Sequence, residues 1–113
     1  MTEEEKILRF IGLAMRAGKV VSGFDAVVSA VRSGNAELLI ISQDISANTL
    51  NKLMDKIAEC DASVEAYGFS RAGDLGDAIG RPDRAVLAIT DKGFAGKLAL
   101  MIEEFDDTKE RCE

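Results

Sequence analysis

Two short apolar runs, Leu38–Ile41 and Ala85–Ile89, constrain the fold of this chain more than any other feature. Each is of strand length and unbroken by a polar residue, the pattern of a strand covered on both faces. Neither approaches the roughly 20 apolar residues needed to cross a bilayer. Strands of this kind need helices above and below them, and the intervening segments supply helices. Ile7, Phe10, Ile11 and Ala14 recur at helical spacing behind a Thr2-Glu3-Glu4-Glu5 capping box, predicting a first helix to about Arg16. Phe24, Val27, Val28 and Val31 repeat the pattern in a second helix, opened by Ser22-Gly23 and stopped by Gly34. A Ser46 cap starts a third, with Leu50, Leu53, Met54 and Ile57 inward and Cys60 near its end. Phe69–Ile79 reads as a short fourth helix, with Gly80-Arg81-Pro82-Asp83 as the loop behind it. Thr90 or Asp91 caps a fifth, turning Phe94, Leu98, Met101, Ile102 and Phe105 inward before an acidic tail, from about residue 106, that is expected to fray. Val20–Ser22 and a more exposed Ser63–Tyr67, ended by Gly68, supply two further strands. The expected architecture is α/β: a three-layer α/β/α sandwich with a mixed sheet of about four strands and five helices, in one domain over residues 1–113.

The residues offer little for catalysis. There is no histidine, and two cysteines, Cys60 and Cys112, fall short of the four ligands of a structural zinc site, so no metal is expected. No secretory segment follows Met1, which points to the cytoplasm and to free thiols rather than a disulfide. Gly12 and Gly18-Lys19 miss the spacing of a phosphate loop, and Gly73, Gly76 and Gly80 miss the dinucleotide fingerprint, so no cofactor is expected. Asp74 and Asp77 read as a solvated helix face rather than a catalytic pair, and no nucleophile elbow is present. The chain is expected not to be an enzyme.

The net charge of −6 is unevenly placed, with acids concentrated at the two ends. The segments Arg16–Gly34 and Arg81–Lys97 are net basic. Lys19, Arg32, Arg81 and Arg84 are candidate phosphate ligands, and Gly23 allows close approach to the N-terminus of the second helix, where free amides favour an anion. Arg81 and Arg84 could lie at the same end of the sheet as that helix start. Residue chemistry alone leaves two readings open: an RNA binder, or a protein-interaction or structural module.

The motifs RAGKVVSG, AVRSGNAELLIIS, DLGDAIG and AVLAITDKGFA, in that order, resemble the kink-turn-binding ribosomal-protein family, specifically its small bacterial branch of YlxQ type. The resemblance extends from Ile7 to about Leu98. It implies an α/β/α sandwich that binds structured RNA, a kink-turn or ribosomal RNA, on the loop and N-terminus of the second helix, with ribosome association possible. It also implies contacts from Phe24 and from Arg81-Pro82, the loop that lies along the RNA in that family. Elsewhere in the family an Asn-Glu pair and a following Lys read the guanines of sheared G·A pairs. Here those positions are Asp25, Ala26 and Ser29. The alternative is a protein-interaction module of the same fold that has lost RNA specificity.

Overall fold

The computed structural model describes residues 2–60 and 63–111. Among these, helices and strands alternate: α1 (Glu3–Arg16), β1 (Val20–Ser22), α2 (Phe24–Arg32), β2 (Leu38–Ile41), α3 (Ala47–Glu59), β3 (Glu65–Gly68), α4 (Ala72–Ile79), β4 (Val86–Ile89) and α5 (Lys92–Arg111). The strands form one mixed sheet in the order β1-β4-β2-β3. Within it β4 is antiparallel to β1 and β2, and β2 is parallel to β3. Among the described residues this is the expected sandwich, with four strands and five helices.

Strand pleating divides the core in two, because successive side chains point to opposite faces. Leu38, Ile40, Leu87 and Ile89 meet Ile7 and Ile11 of α1, Leu75 of α4, and Leu98 and Ile102 of α5. Leu39, Ile41, Val86 and Ala88 meet Val27, Val28 and Val31 of α2 and Leu53 of α3, with Leu50 and Ile57 partly buried beside them. Met54, expected on this inward stripe, is instead 38% exposed, because it lies on the flank of α3 turned away from the Leu53 side that packs on the sheet. The two central strands are buried at every position, as their unbroken apolar runs require. The edge strands β1 and β3 are more open.

The bounds of four elements differ from the sequence expectation. Phe69 does not begin a helix. Its amide donates to the Ile41 carbonyl at 2.9 Å, extending the sheet ladder past Gly68. Ser70 then turns the chain at φ 60°, and α4 starts only at Ala72. The β3 strand accordingly runs Glu65–Gly68 rather than Ser63–Tyr67, and β4 excludes Ala85. Nor does α5 fray near residue 106, since it continues to Arg111. Phe105 packs edge-on against Phe69, with centroids 5.7 Å apart, and the Tyr67 hydroxyl donates to the Glu103 carboxylate. That bond, with burial and the nearby Glu65 carboxylate behind it, pushes the Tyr67 phenol well above its ordinary pKa and keeps it a donor.

Cys60 is a free thiol packed against the α2/α3 side of the core, while Cys112 lies outside the described residues. No helix among the described residues is long and apolar enough to cross a membrane.

Candidate nucleic-acid interface

Each α-helix begins with amides that have no intrahelical partner. Among the described residues, four of the five helices have one of these amides bonded to a side chain. Thr2 and Glu5 form a capping box on α1, and Ser46 accepts from the Thr49 amide at the start of α3. Asp91 accepts from the Phe94 amide at 2.9 Å on α5, and Asp44, reaching across from the loop after β2, accepts from the Ala72 amide at 2.9 Å on α4. The exception is α2. Its N-cap is Gly23, which has no side chain to cap with, and no side-chain bond to the Phe24, Asp25 or Ala26 amide is present among the described residues. Gly23 sits at φ 93°, ψ 156°, a conformation confined almost entirely to glycine.

The sheet brings the loop between α4 and β4 to this helix start. Because β1 and β4 are antiparallel, the end of β1 meets the beginning of β4, with Ser22 opposite Leu87. The Gly23 amide continues the pairing by donating to the Val86 carbonyl at 3.1 Å. Arg84 is fastened at this junction: its Nε donates to Ser22 Oγ and its guanidinium also donates to the Asp83 carbonyl, both at 3.2 Å. A charged guanidinium is therefore held just before the start of α2, with further N–H groups to spare. Arg81 and Pro82 are exposed on the same loop. The loop lies tight on α4, where a Cβ at Gly76 would stand 2.3 Å from the Pro82 carbonyl oxygen and 2.8 Å from that of Arg81.

On α2 itself, Asp25, Ser29 and Arg32 are exposed and fall at i, i+4 and i+7, one stripe running about 10 Å along the helix from its first turn. Ala26 is exposed beside Asp25, and Phe24 is half-buried against the α2/α3 core. Lys19 is not part of this group. It precedes β1, so the length of that strand, about 13 Å, separates it from Gly23. There its carbonyl accepts from the Thr90 amide at 2.8 Å, at the opposite end of the sheet.

Three supporting residues had no local signature in the sequence: Ser22 as the brace of Arg84, Gly76 as the seat of the loop, and Asp44 as the cap of α4. The Asp44 cap joins positions 28 residues apart. The Ala72 amide first, and the Arg71 guanidinium after it, hold the Asp44 carboxyl below the usual carboxylate range. A carboxyl whose pKa is lowered by folding contributes stability above its unfolded value, near 3.9, and loses that contribution as pH falls through the folded value. The stability gap between the wild type and Asp44→Ala, read from urea melts, is therefore expected to be constant from pH 7 to 5 and to shrink below about pH 4. An equal gap at pH 3 and pH 7 would exclude the cap as its source.

The sequence and the architecture have counterparts among known proteins. Residues 5–99 match the Ribosomal protein L7Ae/L30e/S12e/Gadd45 family. The chain is 43% identical over 95 residues to the "RNA-binding protein YlxQ" of Bacillus subtilis, covering 82% of this chain and 91% of that one. It is 34% identical over 99 residues to the protein of the same description from Enterococcus faecium, covering 88% and 93%. A solved structure from Bacillus halodurans C, of a protein described as having unknown function, superimposes with a TM-score of 0.77 at 37% identity, covering 87% of this chain and 97% of that one. The family match begins inside α1 and ends inside α5, so it takes in the whole sheet, α2 and the loop that carries Arg84. The chain belongs to the Ribosomal protein L7Ae/L30e/S12e/Gadd45 family.

Proposed function

We propose that this protein is a non-catalytic, cytoplasmic RNA-binding protein, a single domain over residues 1–113, that docks a structured RNA on the N-terminus of α2. One observation carries the reading: among the described residues α2 alone begins with no side-chain bond to its first amides, and Arg84 is braced on Ser22 just before it. Free amides at the positive end of a helix dipole, next to a guanidinium, favour a phosphate. The description of both YlxQ relatives as RNA-binding supports the same ligand class.

In this arrangement Gly23 lets the backbone approach, the Phe24 and Ala26 amides take a phosphate, and Arg81-Pro82 and Arg84 flank it. Arg32 meets the backbone further along the α2 stripe. Asp25 and Ser29 face the bases. Asp25 accepts from a guanine edge but cannot donate, so discrimination among RNAs is weaker than an Asn-Glu-Lys set would give. A kink-turn or a ribosomal RNA is the proposed partner, with the ribosome as the proposed site of action.

A gel-shift titration of a kink-turn against a straight duplex, each at two salt concentrations, tests this. The kink-turn is expected to bind more tightly, and Arg81→Ala with Arg84→Gln is expected to lower the salt slope by about 0.9 per lost contact. Equal, weak binding to both RNAs would remove the kink-turn. A salt slope near zero would remove phosphate contact and favour the protein-interaction module.

A further inference from the structure

The helical layer formed by α1 and α5 is electrically divided. The two helices run in opposite directions, because α1 leads into the start of β1 and α5 leaves the end of β4, and those strand ends are paired at Val20 and Ile89. Their acids collect at one end: Glu3, Glu4 and Glu5 of α1 with Glu103, Glu104 and Asp106 of α5. From Arg9 to Lys19 and from Lys92 to Ile102 there is no acid at all. Arg16, Lys19 and Lys97 are exposed at this end and have no carboxylate within ion-pair distance among the described residues.

Aromatic surface lies among these cations. The Phe10 and Phe94 rings are tilted against each other with centroids 5.2 Å apart, and the Lys97 ammonium sits 5.8 Å from the Phe10 centroid. Phe10, Asp91, Gly93 and Phe94 line a shallow hollow of about 370 Å³. Leu13, one turn along α1 from Phe10, is 50% exposed. The Thr90 amide donates to the Lys19 carbonyl, which holds the Lys19 backbone one residue from Asp91 of the hollow's lining. Asp91 is the one acid here, and its carboxylate is turned onto the Phe94 amide as the α5 cap.

We propose that this end of the α1/α5 layer is a second RNA contact, at the opposite end of the sheet from the α2 start, taking an unpaired base on the Phe10/Phe94 hollow and its phosphates on Lys19, Lys97 and Arg16. Charge complementarity selects the occupant. Exposed cations at the same end of the layer as an apolar aromatic surface, with Lys97 directly against it, fit a polyanion with flat apolar faces, which single-stranded RNA is. The acidic end of the same layer repels that polyanion and fixes the direction in which it leaves the hollow. The proposal shares with the α2 reading only the class of ligand. The two contacts are separable because no residue belongs to both.

Fluorescence anisotropy with a 12-nucleotide oligouridine and with a kink-turn hairpin separates them. Phe94→Leu, which keeps apolar volume and removes the ring, is expected to weaken oligouridine binding about tenfold. Lys97→Glu, at an exposed position, is expected to lower its salt slope by about 0.7 without changing the melting temperature. Arg84→Gln is expected to weaken the kink-turn and leave oligouridine unchanged. Oligouridine bound equally by wild type and Lys97→Glu would overturn the proposal. So would sedimentation showing a wild-type dimer that Lys97→Glu dissociates, since the hollow would then be a contact between two copies. Loss of the kink-turn effect alone would count against the α2 reading only.

Discussion

Gly76→Ala is expected to lower stability by about 3 kcal/mol and to weaken RNA binding, although Gly76 carries no functional group. Alanine is the better helix former by roughly 1 kcal/mol, so propensity alone predicts a stabilising change. The loop overrides it. The added Cβ would lie 2.3 Å from the Pro82 carbonyl oxygen and 2.8 Å from the Pro82 carbonyl carbon and the Arg81 carbonyl oxygen. All three are backbone atoms, so no side chain can rotate away, and either α4 or the loop must move. Movement of the loop shifts Arg81 and pulls against the Arg84–Ser22 bond. Gly73 is the internal control: in the same helix, its added Cβ would meet Asp83 Oδ1 at 3.7 Å, an ordinary contact. Gly73→Ala is expected to be neutral or slightly stabilising. Urea melts of both variants check this, and equal stability of the two would show that the loop does not bear on α4 as described.

Gly23→Ala is expected to cost about 1–3 kcal/mol and to reduce kink-turn affinity about tenfold or more. No atom lies within 4 Å of the added Cβ, so the penalty is purely conformational. At φ 93°, ψ 156° an L side chain is strained, and relief requires rotating the peptide that donates to Val86. The same rotation re-aims the first amides of α2. Thermal melts and a kink-turn titration on one preparation measure both effects. A stability loss with unchanged affinity would mean that those amides hold no phosphate.

The parts of this fold that are set by periodicity could be read from the chain. The unbroken runs at Leu38–Ile41 and Ala85–Ile89 supply the two fully buried central strands, and the stripes of α1, α2 and α5 face the core, as do Leu50, Leu53 and Ile57 of α3 but not Met54. Phe69 could not be read, because a spacing compatible with helix lost to a sheet bond with Ile41, which is remote in sequence. Nor was the anchoring of α5 visible, since Phe105 and Glu103 are held by Phe69 and Tyr67, which are remote in sequence. At the candidate interface the meeting of α2 with the Arg81–Arg84 loop was foreshadowed by charge, and the antiparallel β1–β4 pairing supplies its cause. Lys19 and Gly23 are close in sequence, and an extended strand sets them apart. The missing cap on α2 becomes visible only once the Asp44 cap on α4 is known, and that cap crosses between loops.

The place of β4 in the sheet has a consequence for the order in which this protein comes into being. The last strand to be synthesised is inserted between the first and the second. Until Val86–Ile89 leaves the ribosome, β1 has no neighbour to pair with and Gly23 has no carbonyl to hold. A nascent chain can wind its helices early, but the surface at the start of α2 exists only after most of the chain has been made, so the proposed RNA dock is assembled last.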